Sequence, residues 1–381
     1  MAGDWRLSID FGSGFTAAAM AEGDKITDLT FGGIALLPSA VALGPGGQVL
    51  TGWEALDQAQ AHPCTALRMP KRAVAAGASV RLDRTSVPVA GLVAAVLDRV
   101  RAEAVRCHSG VAPREVIMCH PAAWTDAELG EIVAAGLPDL VFVPEPIAAA
   151  RHFLIGCPGP DCGQDDSVDI AADSVAVFDF GVGLDIALLR RDGDQLKVIG
   201  QPGGDAELGG DDLDERMMDL LADRAYQADP LAWDAISSTD PKPGPGLAPL
   251  RRQVSTARET LSSLLYADIA VPGFAAPFRI TRREFDAAAL PDLDRAAALA
   301  EAAITMAGLA LADVSVALAG AVSRTPAVSD VLAARFGTLP LTAPDPKATV
   351  AHGALLAAAG GPDGREQYLV FDPANHDWLD T

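Results

Sequence analysis

Leu7–Met20 reads LSIDFGSGFTAAAM. Leu7, Ile9 and Phe11 alternate with Ser8 and Asp10, the period of a β-strand, and small and apolar residues resume after Gly12-Ser13-Gly14. The stretch reads as a hairpin with a glycine tip. Glycines at a tip permit positive φ and close approach by a ligand, so successive N–H groups can cradle a phosphate. Asp10, at the strand's end, has the chemistry to hold a cation. By itself the pattern also describes an ordinary hairpin.

The chain repeats the device. Residues 175–189 read VAVFDFGVGLDIALL, again apolar strand, Asp-Phe-Gly-x-Gly and apolar strand. A second echo follows each hairpin: Pro144-Glu145-Pro146 opens Ile147–Ala150, and Asp345-Pro346-Lys347 opens Ala348–Ala354. The repetition predicts two related α/β lobes that bring two carboxylates, Asp10 and Asp179, and two glycine loops to one polyphosphate.

A chain of 381 residues is too long for one core and long enough for two. The net charge is −22, with lysine only at Lys25, Lys71, Lys197, Lys242 and Lys347, which excludes the basic footprint of a nucleic-acid partner. The N-terminus enters a strand directly, and the most apolar later run, near residues 302–312, is bounded by Glu301 and Asp313. A cytoplasmic protein without membrane partners is the expectation. Cys64, Cys107, Cys119, Cys157 and Cys162 lack paired C-x-x-C spacing and read as reduced thiols.

Between these landmarks, strands are expected over 21–37 and 40–52, a short helix over Trp53–Gln60, a hairpin over 79–90 and a helix over 91–107. Glu115–His120 is a strand broken by Pro121. Thr125-x-x-Glu128 is a capping box that opens a helix to about Gly136. Leu140–Val143 is a strand that delivers Glu145 at its carboxyl end, where α/β sheets place ligand-contacting groups, although Glu145 could equally cap the next helix. Lys71-Arg72 reads as a solvated basic pair. Gly209-Gly210 start a helix and fit either an anion site or a plain turn. Residues 156–174 and 229–249 read as loops. Ser255, Arg258, Glu259 and Ser262 form a polar stripe, which solvent explains, on a helix whose apolar side carries Leu250, Val254, Leu261, Leu264 and Leu265. A helix is expected over 292–307, a buried strand over Val314–Leu318, and a helix from Pro326 to Phe336.

The ordered set SIDFGSG, MPKRAV, PEPIAAA, FDFGVG, GGDAELGGDDLD, ARETLSS, ALAGAVSRTP and ATVAHGALLAA resembles the nucleotide-binding domain of DnaK-type, seventy-kilodalton heat-shock chaperones over roughly residues 5–361. GDAELGGDDLD is its most diagnostic piece. The resemblance implies an α/β, two-lobed actin-like ATPase fold with duplicated ribonuclease-H-like cores and four subdomains. Lobe I would span 1–170 (1–38 with 111–170, and 39–110). Lobe II would span 171–361 (171–211 with 306–361, and 212–305). Residues 362–381 would be a tail too short for a peptide-binding domain.

The same resemblance implies ATP or ADP with Mg²⁺ as ligands. Gly12, Ser13 and Gly14 match its first phosphate loop, and Gly181, Val182 and Gly183 its second. Asp10 and Asp179 match carboxylates that hold Mg²⁺ through water, Lys71 the catalytic lysine and Glu145 the acid near the attacking water. Pro121 matches a proline linked to lobe switching. Gly209, Gly210 and Asp212 match a stretch near the ribose and phosphates, and Arg258, Ser262, Gly320, Arg324 and Asp345 the adenosine side. The chain departs from the family in three places. Gly181-Val182-Gly183 is one residue short and lacks a threonine hydroxyl, Gly14-Phe15 replaces Thr-Asn, and Glu259 and Ser255 replace a base and an acid. The implied function is slow Mg-dependent ATP hydrolysis coupled to lobe opening and closing, with a protein partner or a peptide-binding segment supplying any chaperone role. A non-hydrolysing nucleotide sensor or scaffold is the alternative, ahead of a small-metabolite kinase.

Overall fold

The structure, a computed structural model, describes residues 3–75, 77–135, 140–155, 173–193, 195–237, 247–357, 369–372 and 377–380. The chain divides into two compact units. One comprises Met1–Val177, Ala187–Pro202 and Ala343–Thr381, and the other Phe178–Ile186 and Gly203–Thr342.

The first unit is built on a mixed sheet. In spatial order its strands are Asp377–Asp380, Leu369–Asp372, Leu140–Pro144, Glu115–His120, Trp5–Phe11, Phe15–Glu22 and Lys25–Asp28, with Leu36–Pro38 also paired on Phe15–Glu22. Trp5–Phe11 runs parallel to Glu115–His120, with Asp10 opposite Cys119, and antiparallel to Phe15–Glu22, with Phe11 opposite Thr16. Glu115–His120 is in turn parallel to Leu140–Pro144, His120 facing Pro144. Asp10, His120 and Glu145 thus end up at the carboxyl ends of three adjacent parallel strands.

The central strand is buried on both faces, so the alternation that identified it does not expose its polar side. Leu7, Ile9 and Phe11 are buried, and so is Ser8, whose Oγ donates to Ala351 O at 2.6 Å. Helices on both sides of a sheet explain this. Val89–Cys107 supplies Leu92, Val93, Val96, Leu97 and Val100 to the core. Thr349–Ala357 packs so closely on Glu145–Ile155 that a side chain at Gly353 would collide with Ala148 O.

A second sheet runs Gln195–Asp205, Leu184–Asp192, Ser174–Phe180, Val314–Ala319, Leu341–Thr342. Its order matches Lys25–Asp28, Phe15–Glu22, Trp5–Phe11, Glu115–His120, Leu140–Pro144 strand for strand, including a parallel outer pair, Ala317 opposite Leu341. The helices repeat too, with Pro326–Phe336 and Thr349–Ala357 in the places of Asp126–Ala134 and Glu145–Ile155. The predicted duplication is present in the topology.

Several expectations need correction. Within 229–249, Pro230–Ser237 is a helix with Trp233 buried, started by Asp229, whose carboxylate accepts from Ala232 N at 3.0 Å. The helix expected from 292 starts at Arg282 and runs through Pro291 to Met306, capped by Thr281 and Glu284. The helix before it ends at Leu261, so Leu264 and Leu265 are exposed and do not extend its apolar stripe. Cys157, Cys162, most of the 156–174 loop and Gly136 lie outside the described residues.

Candidate functional site

The tip of the first hairpin is fixed by side chains from another segment. Ser39 Oγ donates to Gly12 O at 2.6 Å and lies 2.9 Å from Thr16 Oγ1, while Ser39 N donates to Gly14 O at 3.0 Å. Ser39 and Thr16 are both fully buried. Gly12 N folds back on Asp10 O at 3.1 Å, and a side chain at Gly12 would collide with Phe15 O. Gly12, Ser13 and Gly14 stay half-exposed, a short run of backbone open to a ligand at the end of a rigid strand. Phe15 leaves the loop exposed and packs against exposed Trp53 with ring centroids 6.4 Å apart.

Lys71 belongs to this group. It sits in the 3₁₀ turn Pro70–Ala73, and its ammonium donates to Glu145 Oε1 at 2.5 Å. The side chains are only 10% and 5% exposed, so that of Lys71 is largely buried although its neighbour Arg72 is exposed. Glu145 is the first residue of its helix and also the partner of Lys71. A buried pair of this kind is costly to break from one side, because the remaining charge is left in a poor solvent.

Neighbouring groups report the local field. Burial, followed by the charges of Asp10 and Glu145, holds the Cys119 thiol well above its usual range, which makes it an inert buried thiol. His120 Nδ1 donates to Pro121 O at 2.9 Å, and the ring is pushed down to about 4, mainly by burial and further by the charge of Lys71. It is a neutral structural ring at the edge of the site. Asp345 is in the same unit, where its carboxylate accepts from Lys347 N at 3.1 Å and its carbonyl from Ala348 N and Thr349 Oγ1 as the last helix begins.

The second hairpin is organised by backbone. Gly181 N donates to Gly183 O at 2.9 Å, and Gly181 O accepts from Gly210 N at 2.9 Å. A side chain at Gly209 would collide with Val182 O. Gly320, at φ 81°, would put a Cβ 2.5 Å from Phe180 O and 2.6 Å from Asp179 Oδ1. The loop 181–183 therefore rests on Cβ-free backbone, leaving Asp179 half-exposed beside it. Gly209 N is also taken, by Asp212 Oδ2 at 2.8 Å. The amides of Gly209 and Gly210 thus serve the packing of this corner.

Arg258 borders the same corner. Its Nε donates to Asp214 Oδ1 at 2.5 Å, and the Cβ position of Gly210 lies 3.2 Å from a terminal guanidinium nitrogen. Ser255 also hydrogen-bonds Asp214, whose carboxyl is pushed up by burial against the pull of Arg258 and Ser255. The polar stripe is therefore more than a solvated face: Arg258 is buried, Ser262 half-buried, and Arg324 exposed after the 3₁₀ turn Ala321–Arg324. Ser39, Thr16 and Asp214 escaped sequence reasoning. Only the GDDLD acidic run pointed at Asp214, and Ser39 is joined to Gly12 by a contact 27 residues long.

The residues fit an Mg²⁺-bound polyphosphate. Among the described residues no three His, Cys, Asp or Glu side chains gather as a metal cluster. Asp10 in one unit and Asp179 in the other are each a single carboxylate beside a glycine tip, the kind of donor that suits an ion that keeps its water and takes its other ligands from phosphate. Among the described residues no helix is long and apolar enough to cross a membrane.

A family model described as Hsp70 protein matches residues 71–362. The Chaperone protein HscA homolog of Bordetella pertussis is 32% identical over 375 residues, covering 89% of this chain and 56% of its own. The Chaperone protein DnaK of Thermotoga neapolitana is 27% identical over 370 residues, covering 92% and 57%. That of Thermosipho melanesiensis is 26% identical over 388 residues, covering 96% and 62%. The chain spans a little over half the length of these curated relatives.

Proposed function

Because the chain belongs to the Hsp70 protein family, with the actin-like ATPase fold and ATP-binding domain that family implies, we propose that it binds ATP or ADP with Mg²⁺ and hydrolyses ATP slowly. The observation that carries the reading is the buried Lys71–Glu145 pair, 2.5 Å long, at the strand ends that also present Asp10. Gly12, Ser13 and Gly14 are the first phosphate loop, and Gly181, Val182 and Gly183 the second. Asp10 and Asp179 would hold Mg²⁺, which when bound would neutralise charge on phosphate oxygens. Arg258, Ser262, Gly320, Arg324 and Asp345 serve the adenosine side, with Gly209, Gly210 and Asp212 next to the ribose and phosphates.

Phosphoryl transfer to water asks little covalent chemistry of a protein, so positioning is nearly the whole task. Lys71 lies at the γ-phosphate. Glu145, fixed through Oε1, orients the attacking water, whose oxygen bonds phosphorus as the bond to the β-phosphate oxygen breaks. Opening and closing of the lobes follows nucleotide state, and any chaperone role in the cytoplasm requires a protein partner or a peptide-binding segment.

A second reading, a nucleotide sensor without turnover, is supported by one specific feature: the loop 181–183 offers backbone alone, with no hydroxyl, to the transferring group. Loss of one oriented donor typically costs roughly 10²- to 10³-fold in rate, while ground-state binding keeps its redundant contacts. Phosphate release from ATP and Mg²⁺ separates the two. Slow release abolished by Lys71→Ala, and accelerated in single turnover by inserting Thr after Gly183, supports the ATPase. Binding without release selects the sensor, and absence of nucleotide binding refutes both.

A further inference from the structure

Asp214 has no part in the reading above, yet it is tied to a residue that does. Its carboxylate, 16% exposed, takes the Nε of Arg258 at 2.5 Å and the hydroxyl of Ser255, one helical turn before Arg258 on the same helix, Leu247–Leu261. The Arg258 guanidinium lies against the first turn of the helix Gly210–Ala228, where the Cβ position of Gly210 is 3.2 Å from a terminal nitrogen. Gly210 in turn donates to Gly181 O in the second glycine loop. Two helices meet on one side chain beside a glycine that also holds the loop, and Asp214 fixes the Nε of that side chain.

We propose that Asp214, supported by Ser255, is the positioning residue for a nucleotide-contacting Arg258. The inference rests on the nucleotide reading. With Nε committed to Asp214, the terminal nitrogens are what Arg258 can offer a ligand, in the plane that the Nε bond dictates. With its charge balanced by a buried carboxylate, Arg258 recognises by hydrogen-bond direction more than by net charge, as a neutral ribose or base requires and a phosphate does not. Ser255 makes this possible, because a carboxylate there would compete with Asp214 for the same guanidinium. Gly210 completes the arrangement, since any larger residue presses on the guanidinium from the other side.

The test is a double-mutant cycle on the affinity for Mg-ADP, measured by calorimetry on the full chain. The variants are Asp214→Asn, Arg258→Gln and the two combined, with circular dichroism to show that each is folded. Asp214→Asn and Arg258→Gln are each expected to weaken binding about tenfold, and the double variant no more than Arg258→Gln alone, because Asp214 then has nothing to position. Ser255→Ala, which removes one hydroxyl, is the milder second variant. It should weaken binding about threefold in the native background and not at all beside Arg258→Gln. Unchanged affinity in folded Asp214→Asn, or losses that multiply, would overturn the inference while leaving the nucleotide reading intact. If Asp214→Asn does not fold, the Ser255→Ala pair decides in the same way. A wild-type chain that fails to bind Mg-ADP would sink the nucleotide reading itself, and this proposal with it.

Discussion

The two glycine hairpins share strand order and the Asp-Phe-Gly signature, but they are held in different ways. The first is clamped by the hydroxyls of Ser39 and Thr16 and has a buried lysine–glutamate pair at the neighbouring strand ends. The second rests on glycine backbone, at 209, 210 and 320, where an added Cβ would crowd Val182, Arg258, Phe180 or Asp179. The repeated hairpin is thus pinned by hydroxyls in one copy and backed by glycines in the other. In the other copy the requirement is that no side chain intrude.

The sharpest way to break this comparison is to put one alanine into each corner. Gly320→Ala combines a positive φ with a Cβ only 2.5 Å from Phe180 O. It should cost about 2–4 kcal/mol in denaturant unfolding. It should also weaken Mg-ADP binding more than tenfold by displacing Asp179. A variant as stable as wild type would mean the corner is looser than described. On the first hairpin, Ser39→Ala removes the bond to Gly12 O and should cost about 1–2 kcal/mol, with a several-fold loss of nucleotide affinity. An equal or larger effect than Gly320→Ala would reverse the ordering of the two corners.

A further expected effect is on pH dependence, and it belongs to the first half. His120 occupies the strand end where the second sheet has Ala319 followed by Gly320. Both His120 and His152 are pushed down to about 4 by burial. In the unfolded chain each takes up a proton near pH 6.5, so the unfolded state binds more protons than the folded one between about pH 6.5 and 4. The stability they contribute is full above that window and falls as the pH drops through it, by about 1.4 kcal/mol per pH unit for each histidine. His120→Gln should flatten the fall by about one proton's worth in urea titrations at pH 6.5, 5.5 and 4.5. An unchanged slope would show that His120 is not held neutral.

Much of this was legible in the sequence because it is local. Asp-Phe-Gly twice, the Thr125-x-x-Glu128 box, the helix from Pro326 and the strand Glu115–His120 depend on neighbours along the chain. Two misses had readable signals that composition obscured. Thr281-x-x-Glu284 is the same capping box, ahead of Pro291 inside the helix it opens, and Asp229-Pro230 is a cap with proline at the first turn inside a Pro/Gly-rich segment. What sequence could not provide is contact across the fold. Ser39 under Gly12, Lys71 on Glu145 and Asp214 on Arg258 join residues 27, 74 and 44 apart, and periodicity carries no trace of such pairs.

The central claim is that both hairpins bind one Mg-nucleotide. It is tested most directly by calorimetric titration of Mg-ATP into the wild-type chain, Asp10→Asn and Asp179→Asn. The account predicts a saturable site in the wild type with one nucleotide per chain, and weaker binding in each variant, the weakening disappearing when Mg²⁺ is removed with a chelator. No binding by the wild type, or affinity unchanged in both variants, would contradict it.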